Sequence, residues 1–568
     1  MTQRKFLFWA AGLIIGVWAF WGQGAIYAAV QQPDAGQTIE ERKQPQVNLQ
    51  QKQEAQLKVE EPERPPLQDS GEKIWVSGYR FSGQELVREA VLQKLVADSN
   101  GKWLTLAQIK ELAARVTDYF RARGYLIARA YVPAQEIKDS VVEIAITIGR
   151  YDQIIIRKNV AIADNVVRLE LGEVKSGAYI MKNSLERAIW LVNDLAGVEA
   201  KASLIPGGIS GTSSLVLDLA PKGARVSGNV TADNYGNRFT GQYEVADYTA
   251  FNNPVHYGDL FTFYGASAGG GFTSGNLSYQ LPVLVQGSKL ELGYSRMGYA
   301  LGEDFANLGA HGTAETFSAG YQHTFKRSRT GNLYGRIGFA SKMLQDLTAG
   351  TTSDKSSKAV TAAIKGDGFD SWGGGGANSY SLSYTAGNLD IHSAADQAVD
   401  AGTAHSAGFY DKWNFTLARQ QFISDRFSLM TFANGQWAGK NLDSSEKMSL
   451  GGANGVRAYP PGEAMCDQGV LGTAELRWTL TPQGNSKEKS GNVWQLAGFY
   501  DYGWAQPNKY PWTDSRNRSL QGAGLGLTWS NPGKATLKFY YAWKVGSEAA
   551  VSDTDANGRL WVQGIWYY

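Results

Sequence analysis

From residue 222 onward the sequence alternates, and that alternation limits what the chain can become. In KATLKFYYAWKV, the residues Ala535, Leu537, Phe539, Tyr541, Trp543 and Val545 share one face of an extended strand. Lys534, Thr536, Lys538, Tyr540, Ala542 and Lys544 share the other, because successive side chains of a strand point to opposite sides. The preceding run places Leu525, Leu527 and Trp529 together, with SNPG as the turn between the two. In VLGTAELRWTL, Ala474, Leu476, Trp478 and Leu480 oppose Thr473, Glu475, Arg477 and Thr479. Runs of about ten residues, separated by Gly, Asn, Asp and Ser, are the pattern of a transmembrane β-barrel. A soluble β-sandwich also alternates, but its core would reject the charges on the second face, while Trp and Tyr on the first face suit the belts at a membrane surface. The chain ends in GIWYY, an aromatic run on the strand that must seal the barrel edge.

A mean hydropathy of −0.30 would ordinarily indicate a soluble protein. A barrel wall shows lipid only every second side chain, so the low average does not oppose the reading. Allotting about 20 residues to each strand and its connections, residues 222–568 hold sixteen antiparallel strands as the nearest even number. TAGTTSDKSSKAVTAAIKGDG and SWGGGGANS, within residues 341–410, are expected to be long surface loops or insertions.

The first 221 residues read differently. Arg4 and Lys5 precede an apolar run from Phe6 to Trp21, and small residues follow at Ala25, Ala28 and Ala29. This is the pattern of a secretory signal peptide over 1–29. Residues 30–71, rich in Gln, Glu, Lys and Pro, read as a solvated linker, with a plug helix within 46–60 as the alternative. Two α+β units follow, at 72–149 and 150–221. In the first, IWVSGYRFSG reads as a strand and ELVREAVLQKLVAD as a helix. Leu106, Ile109, Ala113, Val116 and Phe120 recur at helical spacing until Gly124 stops them, and LIARAYVP and SVVEIAITIG are strands. The second unit runs from the strand YDQIIIRKN through a helix around SLERAIWLVNDLAG to the strands VEAKASLIP and SSLVLDLAP.

Several functions find no residues to carry them. A net charge of +2 gives no field for nucleic acid. One cysteine, Cys466, allows no intramolecular disulfide; a free thiol without a role is the expectation, with intermolecular pairing as the alternative. The five histidines, at 256, 311, 323, 392 and 405, lack metal-ligand spacing. SWGGGG is followed by no helix or lysine of a phosphate loop. No catalytic set, cofactor or metal is expected.

Over residues 72–568 the sequence resembles the two-partner secretion translocators, the ShlB/FhaC/HecB haemolysin secretion/activation family within the wider barrel-assembly superfamily. GYLIARAYVPAQEI with SVVEIAITIGRY, and WLVNDLAGVEAKASLIPGGISGTSSLVLDLAP, resemble two POTRA domains. DNYGNRFTGQY and NNPVHYGDLFTF are similar to the first barrel strands. LGGANGVRAYPPGEAMCDQG, at about 449–469, resembles the family's inward-folded loop. Its usual Val-Arg-Gly-Tyr is here Val456, Arg457, Ala458, Tyr459. LAGFYDYG resembles the wall motif that meets this loop, which assigns Gly498, Phe499, Asp501 and Gly503.

The resemblance implies an outer-membrane pore with periplasmic POTRA domains that recognise an unfolded exoprotein bearing an N-terminal secretion domain and pass it to the cell surface. The implied neighbours are outer-membrane lipid, including lipopolysaccharide, and a barrel-assembly machinery for insertion. An insertase that assembles other outer-membrane proteins is the alternative. Elementary physics supports the implied loop-to-wall lock. A guanidinium inside a barrel costs several kcal/mol unless a carboxylate satisfies it, and a bidentate pair fixes one place on the wall. Phe499 shares the parity of Asp501, while Tyr500 and Tyr502 take the other. With the tyrosines facing lipid, Asp501 faces the lumen, within reach of Arg457.

Overall fold

A computed structural model describes residues 32–42, 57–59, 71–480, 491–512 and 516–568. The signal peptide read over 1–29 lies outside the described residues. Two short pieces precede the first α+β unit: helix α1, Ala35–Glu41, and strand β1, Leu57–Val59. The helix considered within 46–60 is corrected for 57–59, which are extended; 46–56 and 60 lie outside the described residues.

The first unit comprises β2 (Lys73–Val76), β3 (Gly78–Ser82), α2 (Glu89–Val96), β4 (Lys102–Thr105), α3 (Leu106–Ala122), β5 (Ala128–Tyr131) and β6 (Val141–Ile148). α3 buries Ile109, Leu112, Ala113, Val116 and Phe120 along one stripe, and a Thr105–Gln108 capping box starts it. IWVSGYRFSG is two strands rather than one: β2 pairs with β4, whereas β3 joins β6 and β5. The second unit comprises β7 (Arg150–Lys158), α4 (Asp164–Leu171), α5 (Lys182–Asn193), β8 (Val198–Pro206) and β9 (Thr212–Pro221). Its sheet runs in the order β1-β8-β9-β7, so β1 sits on its edge.

Sixteen strands among the described residues close an antiparallel barrel. They are β10 (Val226–Asp233), β11 (Glu244–Asn252), β12 (Leu260–Ser267), β13 (Phe272–Pro282), β14 (Ser288–Ala300), β15 (His311–Arg327), β16 (Gly331–Thr348) and β17 (Thr351–Asp370). After them come β18 (Gly376–Ile391), β19 (Gly408–Phe422), β20 (Phe427–Ala438), β21 (Gln468–Thr479), β22 (Val493–Gln506), β23 (Arg518–Asn531), β24 (Ala535–Lys544) and β25 (Gly558–Tyr567). The seam pairs Asn229–Asp233 of β10 with Gln563–Tyr567 of β25. Side chains alternate as the sequence requires: Phe539, Tyr541 and Trp543 are exposed on the outer wall, and Ala542 is fully buried.

The low-complexity stretch is corrected. TTSDKSSKAVTAAIKGDGFD is the 20-residue strand β17, paired along its length with the 18 residues of β16, and the turn is Ala349–Gly350. A membrane strand needs only about ten residues, so this hairpin rises beyond the bilayer, where neither face must be apolar. Backbone pairing holds it, and its far half, TTSDKSS, has no apolar residue on either face, whereas Val360 and Ile364 of the near half point outward. SWGGGG is the tight connection into β18, with Gly373, Gly374 and Gly375 all at positive φ.

The second unit is fastened to the near-end turns of the barrel. Arg327 donates to both oxygens of Asp194 at 2.7 Å. The Gly287 N–H donates to Glu170 at 2.8 Å, and Arg187 to the Thr324 carbonyl at 2.7 Å. The Asn253 side chain donates to the Ala161 carbonyl at 2.7 Å.

Candidate functional site: the inward loop and its two anchors

The connection between β20 and β21, residues 439–467, turns back into the barrel. Its composition is suited to that path: Gly452 takes φ +101°, Val456 N–H closes a turn onto the Leu450 carbonyl at 2.7 Å, and Pro460–Pro461 stiffen the returning limb. Leu450, Val456, Ala458, Tyr459 and Cys466 are buried with Phe499, Leu520 and Ala542 of the wall.

At the tip, Arg457 Nε donates to Asp501 Oδ2 at 2.9 Å and Nη2 to Oδ1 at 2.8 Å, forming a two-pronged fork. Nη1 donates to Glu475 Oε2 at 2.7 Å. The Arg457 backbone N–H also reaches Asp501, at 3.1 Å, and the Trp561 indole donates to its carbonyl at 2.7 Å. The guanidinium lies 3.4 Å from the centroid of the Phe499 ring, a stacking that adds cation–π attraction where water is excluded. Both acids are satisfied in turn: Thr473 donates to Asp501 at 2.9 Å and Arg477 to Glu475 at 2.8 Å. A buried cation bound by two carboxylates, each with further donors, meets the condition under which burying charge is tolerated.

The other named positions divide. Val456 packs on the bare backbone of Gly503, where an added Cβ would come within 3.0 Å of it. The Tyr459 hydroxyl donates to the Glu548 carbonyl at 2.9 Å. Gly498 points outward, has open space around it and takes no part. Ala458 does not enter the left-handed region. Its methyl sits against Gly522, the wall residue whose own Cβ would be only 2.8 Å away. Cys466 is fully buried, out of reach of a second chain.

A second anchor holds the stem of the loop. Lys342 of β16 and Lys412 of β19 both bind Glu446, at 2.6 and 2.8 Å, and Lys355 of β17 binds Asp443 at 2.9 Å. Against this stem lies α1. Ser444 donates to Asp34, the residue capping α1, at 2.7 Å, and the Ala35 N–H donates to Asp346 of β16 at 2.9 Å. A Cβ on Gly36 would stand 2.4 Å from the Ser445 nitrogen, so only glycine permits this approach. Arg42, just beyond the helix, pairs with Glu244 of β11 at 3.0 Å. Helix and loop together occupy the lumen.

Sequence reasoning does not assign Glu475 to the site. Parity already places it inward, but only the register that sets it opposite Phe499 brings it to Arg457. The stem lysines and α1 give no signal of their own. Among the described residues, no group of His, Cys, Asp and Glu is arranged to hold a metal ion.

Comparison with known proteins gives a consistent picture. The family described as haemolysin secretion/activation protein ShlB/FhaC/HecB matches residues 211–529, and the ShlB-type POTRA domain matches 74–149. The heme/hemopexin transporter protein HuxB of Haemophilus influenzae is 28% identical over 469 residues, 80% of each chain. The outer membrane transporter CdiB of Escherichia coli is 23% identical, over 80% of this chain and 76% of its own length. The solved structure of CdiB from Escherichia coli superposes with a TM-score of 0.71 at 20% identity, covering 89% of this chain and 93% of that one.

Proposed function

The chain belongs to the haemolysin secretion/activation protein family ShlB/FhaC/HecB, the outer-membrane translocators of two-partner secretion, and from that premise we propose how its parts divide the work. The barrel lies in the Gram-negative outer membrane with its POTRA region in the periplasm. The working division is a signal peptide at 1–29, a segment to 71 in which α1 plugs the lumen and the rest is linker, POTRA domains at 72–149 and 150–221, and the barrel from 222. The client is an unfolded exoprotein with an N-terminal secretion domain. POTRA sheet edges take an extended client segment by adding it as a strand, a mode in which backbone hydrogen bonds give affinity without a folded partner. The client then crosses the lumen and folds outside, and that folding supplies the drive. The chain itself performs no catalysis.

The observation that carries the role of the loop is the fork from Arg457 to Asp501, reinforced by Glu475. It fixes the loop tip to β21 and β22 and gives the loop one resting position in the pore. The exposed aromatic and aliphatic side chains of the outer wall support contact with lipid and lipopolysaccharide, and a closed barrel of this size calls for an assembly machinery to insert it. The insertase alternative is not favoured, since the matching relatives are named as transporters. The experiment is secretion of the cognate exoprotein by Arg457→Ala and Asp501→Ala chains at equal levels of inserted barrel. Loss in both supports the reading, and unchanged secretion in both refutes the assigned role.

A further inference from the structure

The barrel closes where two neighbouring strands share no connecting turn, at the seam between β10 and β25. Backbone pairing there spans five residues of each strand, against eight between β10 and β11. Side chains supplement it on three sides. At the far end, the Asn234 side chain donates to the Leu560 carbonyl and accepts from the Val562 N–H, both at 2.8 Å. On the lumen side, Gln563 donates to Asp233 at 3.1 Å. On the outer side, the ring of Tyr568, just beyond β25, crosses over β10 altogether. It passes above Gly228, where an added Cβ would stand 2.6 Å from the Tyr568 hydroxyl, and reaches β11. There the hydroxyl donates to Asp247 Oδ1 at 2.9 Å, and Thr249 donates to Asp247 Oδ2 at 2.8 Å. The two hydroxyl oxygens lie 2.5 Å apart.

The direction of Asp247 sets this clip apart. Glu244 faces the lumen, where it holds Arg42. Three residues on, Asp247 has the opposite parity and faces outward, paired across from the exposed Val230. A carboxylate on the lipid face is costly and persists where its oxygens are used. Here both oxygens are taken, and one of the two donors, Tyr568, comes from the far side of the seam. The backbones of Gly228 and Tyr568 exchange two bonds at 3.1 Å, so the clip continues the ladder. β25 also carries Trp561, which holds the Arg457 carbonyl and ties the seam to the loop tip.

We propose that Asp247, Thr249 and Tyr568 are positioning residues that keep the seam shut throughout export, so that the exported chain leaves along the lumen and not between β10 and β25. The inference rests on the export reading and deepens it by naming the route. Parting the seam would strip its five ladder pairs and turn unpaired backbone groups toward hydrocarbon, where each is costly. It would also leave Asp247 facing lipid with Thr249 as its remaining donor. The lumen, by contrast, is filled by a loop and a seven-residue helix held mainly through side chains.

A covalent lock on the seam tests the route. Because Gly228 and Tyr568 exchange both backbone bonds, Thr231 and Ile565, three pairs further along, form a pair without them, in which opposite Cβ atoms come closest. Full-length chains with Thr231→Cys and Ile565→Cys in a Cys466→Ser background are oxidised in outer membranes, and joining is read as a gel shift. The joined chain is expected to export the cognate exoprotein at the rate of the unaltered chain. If the joined chain stops exporting and dithiothreitol restores it, the seam must part; the proposal is overturned and the export reading stands. If the unaltered, joined and reduced chains all fail to export the exoprotein, both fall. Amide exchange in nanodiscs reads the clip itself. Asp247→Leu with Tyr568→Phe should speed exchange at residues 563–567 about tenfold, the effect of losing one hydrogen bond to a charged group, while β15 and β16 keep their protection. Asp247→Asn, which keeps an acceptor, should stay near the unaltered rate. Equal exchange at 563–567 in the double variant and the unaltered chain overturns the clip.

Discussion

The loop that fills this barrel is held at both ends, and the two ends have opposite polarity. At the tip the loop supplies the cation, Arg457, and the wall supplies the acids, Asp501 and Glu475. At the stem the loop supplies the acids, Asp443 and Glu446, and the wall supplies Lys342, Lys355 and Lys412. The tip partners lie on adjacent strands, β21 and β22; the stem partners are spread over β16, β17 and β19. Arginine forks onto a carboxylate and fixes an orientation, whereas lysine ammonium groups attract from several directions and tolerate small shifts. The tip therefore sets where the loop rests, and the stem sets how firmly loop and α1 fill the pore.

This contrast can be broken most forcefully at the tip. Arg457→Ala leaves Asp501 buried without a cation and Glu475 with Arg477 alone, a loss of about 3–5 kcal/mol for a pair of this kind. Export is expected to fall to background while the barrel still shows heat-dependent mobility on gels. Arg457→Lys, which keeps the charge and loses the fork, is expected to restore export only in part.

A smaller effect is expected from the stem. Replacing Lys342, Lys355 and Lys412 together by Met should raise single-channel conductance in planar bilayers severalfold, because the loop stem and α1 lose their hold. Export should drop less than in Arg457→Ala. Equal conductance in the two variants would erase the distinction between the anchors.

Gly36→Val probes α1 alone. A side chain there collides with the Ser445 backbone, so the helix must shift while the tip stays pinned. Conductance should rise less than in the triple lysine variant, with export retained.

The smallest effect lies outside the pore. Burial holds the Glu170 carboxyl up at about 7 from an ordinary 4.5, partly offset by the Gly287 N–H bond and by nearby Lys289 and Arg187, while Asp194 adds to the rise. The folded state thus retains a proton that the unfolded chain releases. The stability Glu170 contributes is present below about pH 4.5 and is lost as pH rises to about 7. Thermal unfolding of the periplasmic part should move to lower temperature between pH 5 and 8, and Glu170→Gln should flatten that dependence.

Much of the architecture was legible because lipid enforces alternation: Tyr500 and Tyr502 face out, Phe499 and Asp501 face in, and parity alone says so. The same rule misses β17, whose far half leaves the bilayer and need not alternate, so the short alternating stretch around Val360 and Ile364 stands alone. With β17 read as loop, Lys355 could not be placed on a wall. α1 was illegible for another reason. Seven residues, AGQTIEE, make too short a helix to hold itself together, and its order comes from Ser444, Asp346 and Gly462 around it. Glu475 stood between these cases, its direction readable and its partner hidden until the register was known.

The position of the loop itself is open to direct measurement. A Cβ built on Gly503 lies 3.5 Å from the Leu450 Cβ, within the range of about 3.5–4.5 Å that a disulfide spans. Outer membranes carrying Leu450→Cys and Gly503→Cys in a Cys466→Ser background should form an intramolecular cross-link under mild oxidation, seen as a gel shift reversed by dithiothreitol. Two thiols that instead react freely with a water-soluble maleimide, and never with each other, would place the loop outside the pore and contradict the clamp.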